Sequence, residues 1–404
     1  MKAGTGRSPG ARRRTIIAAL GLTQIFAWGC SYYLPAVLAR PIAGDTGWPF
    51  AWVVGGLSLG LLAAGLVSPR VGRAIERHGG RPVLAASACL LAIGLVGLAL
   101  APGVPIYLAA WLIIGLGMGA GLYDAAFATL GRLYGLEAPH AIATLTLFGG
   151  FASTVCWPLS AFLVSTLGWR GTCLAYAALQ LAAALPTHLL ALPREAREEQ
   201  RTITAAPGAP AAAIPAPRNA PLLVLLAATI TTSSTISTIV SVHLLAFLQA
   251  RDIALGAAVA FGALVGPSQV GARAIEILVG RYHHPIWTKI ASTALVAVGL
   301  AALWGRLSAV SLALVLYGAG IGLDSIARGT LPLALFGATG YAALMGRLAM
   351  PSLIAQAAAP LLGALAIELS GTGGTLAILS LLGLLNLICA GALWLRARPA
   401  IGRS

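Results

Sequence analysis

Residues 72–81 read Gly72-Arg73-Ala74-Ile75-Glu76-Arg77-His78-Gly79-Gly80-Arg81, a charged stretch set between apolar runs at about 51–69 and 82–101. Each run is close to the length a helix needs to cross a hydrocarbon core of roughly 30 Å. Part of the stretch returns 200 residues later, Arg73-Ala74-Ile75-Glu76 as Arg273-Ala274-Ile275-Glu276 and Gly80-Arg81 as Gly280-Arg281. A second match has nearly the same offset, 201: Gly117, Gly119, Gly121, Leu122, Ala126, Thr129 and Leu130 recur as Gly318, Gly320, Gly322, Leu323, Ala327, Thr330 and Leu331. Shared glycine and leucine alone are cheap in membrane segments, but a charged loop repeated at the same spacing is not. The chain therefore reads as two related halves. Parallel repeats of this kind place a solute site between them near the bilayer midplane.

Outward from this loop, twelve apolar runs are predicted, at about 15–39, 51–69, 82–101, 105–131, 141–167, 171–192, 221–247, 257–279, 285–304, 308–331, 341–367 and 375–395. With 58% hydrophobic and only 9% charged residues in 404, a soluble fold would expose more apolar surface than water tolerates. The expected fold is an all-α membrane protein, its twelve transmembrane helices forming two pseudo-symmetric six-helix bundles over 1–192 and 221–404. Between them, 193–220 begins with Arg194, Glu195, Arg197, Glu198, Glu199 and Arg201 and ends in a Pro/Ala stretch. It reads as a flexible cytoplasmic linker.

The net charge of +15 suggests nucleic acid until its distribution is read. With both termini cytoplasmic, the inner segments carry 22 Lys and Arg and the outer ones only Arg40, Arg170, Arg251 and Arg306, which accounts for all 26. That asymmetry orients a multi-pass protein in a bacterial inner membrane, and no soluble basic domain remains to hold nucleic acid. Arg12-Arg13-Arg14 precedes a run too long for a secretory signal, so it flanks the first span. The five cysteines lie in or beside apolar segments without a Cys-x-x-Cys pair, which implies buried small hydrophobes. Gly56-Leu57-Ser58-Leu59-Gly60 satisfies the hydrolase pattern Gly-x-Ser-x-Gly, but inside an apolar helix it lacks the strand-to-helix turn that chemistry needs. With no Walker lysine motif and no His-Glu-x-x-His, neither an enzyme, a cofactor nor a metal is expected. A channel fits the two-half repeat less well than a carrier does.

The loop at 72–81 resembles the G-x-x-x-D-R-x-G-R-R motif of the major facilitator superfamily, with Glu76 for Asp and Gly80 for one basic residue. Trp157-Pro158-Leu159-Ser160-Ala161 with Gly168-Trp169-Arg170 is similar to the family's G-P-x-x-G-G and G-W-R. The resemblance covers essentially the whole chain and implies a monomeric secondary transporter working by alternating access. Two departures leave direction and coupling ion open: Trp111 stands where many proton-driven members carry arginine, and Trp157 and Ser160 degrade the antiporter glycine pattern. The block Leu122-Tyr123-Asp124-Ala125-Ala126-Phe127, continuing to Phe148-Gly149-Gly150-Phe151-Ala152, is similar to a proteobacterial branch that includes efflux permeases for trivalent arsenicals and antimonite. That implies export in exchange for protons, with a small monocarboxylate or drug-like solute as the alternative substrate.

Candidate site residues follow from both readings. By the resemblance, Gly72, Glu76, Arg77 and Arg81, with Glu276 and Arg281 in the second copy, form gating loops in which the carboxylate binds a neighbouring helix N-terminus. Asp124 and Asp324 are carboxylates within apolar runs, and a charge there costs about 2.5–3.5 kcal/mol unless a cavity or partner receives it. Both are expected to bind substrate and exchange protons, Asp324 pairing with Arg328 four residues on along the same helical face. Gln24, Trp28 and Tyr32 share one face of the first helix. Tyr123 on the fourth and Ser234 and Thr238 on the seventh, within the stripe Thr231, Ser234, Thr235, Thr238 and Ser241, complete the expected cavity lining. Few other charges are expected in that cavity.

Overall fold

The computed structural model describes residues 9–194, 220–305 and 309–401, so all but the ends of the expected linker lie outside it. Among the described residues every element is helical. The first half comprises α1 (Pro9–Gly29), α2 (Leu34–Thr46), α3 (Phe50–His78), α4 (Gly80–Ala99), α5 (Val104–Gly121), α6 (Tyr123–Tyr134), α7 (Ala138–Gly150), α8 (Ala152–Leu179) and α9 (Leu185–Ala191). The second comprises α10 (Ala220–Gln249), α11 (Leu255–Gly262), α12 (Val265–Val279), α13 (Pro285–Trp304), α14 (Val310–Phe336) and α15 (Tyr341–Ile401). Proline opens α2, α5, α7 and α13, where its missing N–H costs nothing.

Nine described stretches are long and apolar enough to cross a membrane, but Val104–Ala191 has 88 residues and Tyr341–Arg398 has 58. At about 1.5 Å per residue even the shorter one far exceeds one bilayer. Both fold back at a glycine in the left-handed region, Gly168 (φ 69°, ψ 176°) and Gly371 (φ 68°, ψ 174°). A side chain would be strained there. The reversal at Gly168 brings Ser160 Oγ within 2.7 Å of the Tyr176 hydroxyl. That at Gly371 puts Leu348 in one apolar cluster with Leu393 and Ala397. A further turn at Gly135–Glu137 separates α6 from α7, leaving the Tyr123 hydroxyl donating to Thr146 O at 3.2 Å. The nine stretches thus make twelve crossings, in the two-bundle arrangement expected from the repeats.

Each bundle has its own core, one containing Leu38, Leu95, Trp111, Ile114 and Tyr176, the other Ile236, Leu300, Leu314 and Leu379. Trp111 is a packing residue: it is buried against α3, where a Cβ on Gly56 would meet its Cγ at 2.8 Å. A third cluster joins the halves near the basic loops, combining Ile75, Phe127 and Ile142 with Leu333, Tyr341, Ala342 and Met345. There α3 and α15 cross so closely that a Cβ on Gly72 would lie 3.1 Å from Gly346 Cα. At the opposite end α2 packs on α3 and α8 of its own half, and Trp157 on α8 is 46% exposed. The halves are closed at the basic end, whereas away from it α2 and α8 pack mainly within their own half.

Candidate functional site

The fourth crossing is broken at its centre. Gly121 ends α5, Leu122 is extended (φ −78°, ψ −168°), and α6 starts at Tyr123. Gln24 Nε2 satisfies one freed carbonyl by donating to Gly121 O at 2.6 Å. A break at this depth is tolerated where it borders a cavity or protein. It places Asp124 in the first turn of α6, where the helix dipole favours negative charge.

Asp124 is not alone. Arg328 on α14 holds it in a bidentate pair, Nε to Oδ1 and Nη2 to Oδ2 both at 2.8 Å. The third guanidinium nitrogen donates to Ser234 Oγ on α10 (3.2 Å) and Ser352 Oγ on α15 (3.1 Å), and Ser352 donates to Ser234 at 2.8 Å. One arginine therefore ties the first half to three helices of the second. The pair's side chains keep 16% (Asp124) and 14% (Arg328) of their exposure, so the pair is largely desolvated yet reachable. Such fork-to-fork pairs are the stronger class of charged hydrogen bond.

This corrects the expected Asp324–Arg328 pair. Asp324 Oδ1 instead accepts from Lys289 Nζ on α13 at 2.6 Å. Lys289 Nζ also donates to Ser233 Oγ (3.0 Å) and Thr229 O (3.3 Å), and Ser233 Oγ accepts from Asn386 Nδ2 at 2.9 Å. Both residues of the expected pair lie on one face of α14, but each finds a better partner across a helix interface. The expectation of few cavity charges is corrected too, since Lys289 and Arg273 are both buried. Arg273 Nε donates to Ser325 Oγ (2.9 Å), and its terminal nitrogens to Gln269 Oε1 (3.2 Å) and, across the halves, Thr146 O (3.1 Å). Thus three of the 22 basic residues assigned to the inner segments lie inside the bundle. Lys289 had a signal: it lies within the run assigned to 285–304, as one of two lysines in the chain. Arg273 had the same signal, lying within the run assigned to 257–279, but its repeat partner Arg73 made it read as a loop charge.

The aromatic side of the site comes from the first half. Trp28 Nε1 donates to Gln24 Oε1 at 3.2 Å, and its ring lies 5.3 Å from Tyr32 and 5.0 Å from Tyr123. Tyr123 stacks on Phe127 at 5.2 Å. Gln24, Trp28, Tyr32 and Tyr123 are therefore brought together beside Asp124. Of the α10 hydroxyls, Ser234 joins the Arg328 network and Ser233 the Lys289 one; Thr238 donates to the Ser234 backbone carbonyl at 2.9 Å, as membrane hydroxyls commonly do. Cys30 and Cys156 are wholly buried, each thiol turned to a backbone carbonyl.

At the closed end Glu76 Oε2 accepts from the backbone N–H of Ala342 at 3.2 Å, in the first turn of α15, while Arg132 donates to the Glu76 carbonyl. A carboxylate at a neighbouring helix N-terminus contributes about 0.3–1 kcal/mol, up to about 2 when partly buried. Glu76→Gln should therefore slow turnover several-fold while leaving equilibrium substrate binding intact. Loss of binding by folded protein would move Glu76 into the site. The second copy does not repeat the contact: Glu276 accepts from Thr288 Oγ1 at 2.6 Å and faces His283 at 3.6 Å, all in its own half. Arg281 lies over the Tyr282 ring, and among the described residues Arg77 and Arg81 have no ion-pair partner. The two copies are asymmetric, because of the two carboxylates only Glu76 reaches across to the other half.

A family profile described as Major Facilitator Superfamily matches residues 19–326. No curated protein sequence matches the chain significantly. Several solved structures share its fold. The human organic anion transporter MFSD10 (TETRAN) aligns with a TM-score of 0.73 at 19% identity, over 95% of this chain and all of that one (100%). FucP, solved in the outward conformation, gives 0.72 at 14% identity over 93% of this chain and 98% of its own. The proton:xylose symporter XylE bound to 6-bromo-6-deoxy-D-glucose gives 0.68 at 13% identity over 93% and 94%.

Proposed function

The chain belongs to the Major Facilitator Superfamily, and from that premise we propose a secondary transporter that moves a small organic anion, a monocarboxylate above all, through the site around Arg328. Both termini and 193–220 lie on the cytoplasmic side of a bacterial inner membrane in this reading, by the basic-residue bias. The end away from the basic cluster, where the halves part in this reading, then faces outward. One chain holds both halves of the site, so the working unit is a monomer.

The observation that carries the reading is the bidentate Asp124–Arg328 pair, reachable and bridging the halves at a helix break. A substrate carboxylate matches the geometry in which Arg328 now holds Asp124. By taking that place it would release the hold between the halves, which is the differential contact alternating access requires. The site also carries three cations, Arg273, Lys289 and Arg328, against the two carboxylates Asp124 and Asp324. An anion relieves that excess. Trp28, Tyr32 and Tyr123 give the apolar part of such a solute a wall to pack on.

Coupling to protons belongs to the same reading, with export as the net direction and Asp124 and Asp324 as the carboxylates involved. Trivalent arsenic or antimony is the competing cargo. It favours thiol ligands, and the buried Cys30 and Cys156 do not face the parted space, so the geometry supports the carboxylate. The test is flux in proteoliposomes with radiolabelled lactate, pyruvate and benzoate alongside arsenite. Saturable carboxylate flux should fall at least tenfold in Arg328→Lys, which keeps the charge but loses the fork. Arsenite flux without carboxylate flux would overturn the assignment.

A further inference from the structure

The Lys289–Asp324 pair is not needed to hold the halves together. All its partners (Thr229, Ser233, Ser292 and, through Ser233, Asn386) belong to the second half. Its two members differ in access: the Lys289 side chain keeps 2% of its exposure and the Asp324 side chain 15%. Asp324 is also one helical turn from Arg328 on the same helix, and the two charges attract. Arg328 therefore stands between two carboxylates, Asp124 in the first half and Asp324 in its own. It takes Asp124 here because Lys289 already neutralises Asp324.

We propose that Lys289 is the proton-carrying group of this transporter, and that its protonation decides whether Arg328 pairs with Asp124 across the halves or with Asp324 along its own helix. The inference rests on the reading of Asp124–Arg328 as the hold between halves, given above. With the ammonium present, Lys289 and Asp324 form a neutral pair and Arg328 stays on Asp124. A proton leaves along the 2.6 Å hydrogen bond: the Lys289 N–H bond breaks, an O–H bond forms on Asp324, and both groups become neutral. The acid, the more exposed member, then gives that proton to cavity water. One proton has left the protein, the amine is neutral and the carboxylate is charged. Arg328, which Asp324 already attracts from one turn away, answers that charge, and in turning to Asp324 it frees Asp124. The alternative, an added proton on Asp324 beside a charged Lys289, would leave an uncompensated ammonium in a 1%-exposed residue, at a cost of several kcal/mol.

Among the described residues, the other charged groups around the pair lie on two helices. On α14 it is Arg328, and on α12 they are Arg273, bonded to neutral acceptors, and Glu276, held by Thr288 and His283. From α10 and α15 the described residues around the pair present hydroxyls, a carbonyl and an amide, those of Thr229, Ser233 and Asn386. Asn386 Oδ1 is a buried acceptor without a partner, so this part of the core holds an unused place for a donor.

The test needs no substrate, which separates its failure from failure of the carboxylate reading. Spin labels go on Leu136→Cys and Tyr282→Cys, exposed positions of opposite halves near the closed end, with Cys89 and Cys389 replaced by Ala. In lipid nanodiscs the wild-type distance should lengthen as pH rises, because loss of the Lys289 proton frees Asp124. Lys289→Met should give the long distance at every pH and Asp324→Asn the short one, each confirmed as folded by its cooperative thermal unfolding. A purely structural pair would not drive its two neutral variants in opposite directions. The proposal is overturned if either variant keeps the wild-type response to pH, or if the wild type shows none.

Discussion

Asp124→Ala is expected to be among the most damaging truncations in the protein, destabilising it by about 3–5 kcal/mol and cutting flux at least a hundredfold. The stability cost follows from what remains. Arg328 is largely desolvated, and without Asp124 its fork keeps only the hydroxyls of Ser234 and Ser352. Removing one partner of a buried ion pair typically costs about that much, because the other charge is stranded. The flux loss has a separate cause, since the two halves lose the contact with which the substrate competes in the proposed mechanism. Thermal unfolding in detergent measures the first effect and proteoliposome flux the second. The exchanged pair Asp124→Arg with Arg328→Asp separates them, because it restores opposite charges but sets aspartate where the anion should bind. It should regain a substantial part of the stability and none of the flux. Full recovery of both would reduce the pair to packing.

The fold was legible because membrane crossing demands long apolar runs, and because the charged repeat at 73–76 and 273–276 betrays two halves. The reversals were legible to within a few residues, since the gaps left between the runs ending at 167 and 367 and those starting at 171 and 375 bracket Gly168 and Gly371. What was not legible is the break inside the fourth run, where Leu122 turns extended between Gly121 and Tyr123.

The site was legible one residue at a time and not as pairs. Sequence spacing sees Asp324 and Arg328 on one helix face, and i,i+4 is the strongest pairing rule it can apply. The structure overrides that rule with Lys289, 35 residues from Asp324, and with Asp124, 204 residues from Arg328. Tertiary partners of this kind follow from how helices cross, which periodicity does not encode. The repeat itself misled at Glu276, because identical tetrapeptides sit at crossings that are not equivalent. Glu76 reaches the first turn of α15, whereas Glu276 is held within its own half by Thr288.

Gly72→Val should leave the protein folded but empty the state described here. At this crossing α3 of the first half meets α15 of the second, and a Cβ on Gly72 would lie 3.1 Å from both Gly346 Cα and Gly346 N. The backbone of Ala342 is nearer still, so no side-chain rotation relieves the clash. Overpacking of this sort costs about 1–3 kcal/mol. In a single rigid core that would appear as lost stability. Here the clash lies between halves that separate in the proposed cycle, and only the closed basic end suffers it. Parting the halves there removes the penalty, so a two-state population should shift about 5–150-fold toward the opposite state. Labelling reads the shift. Trp157→Cys, exposed on α8 at the end the proposed topology turns outward, should react with an impermeant maleimide in intact cells when Gly72 is present. It should react several-fold more slowly in the Gly72→Val background, where the outer end closes. The same substitution at Gly60 offers the control, since its contacts, Trp111 and Gly115, belong entirely to the first half. Gly60→Val should lower the unfolding temperature without moving the labelling rate. Equal behaviour of the two variants would mean that the α3–α15 crossing does not open during transport.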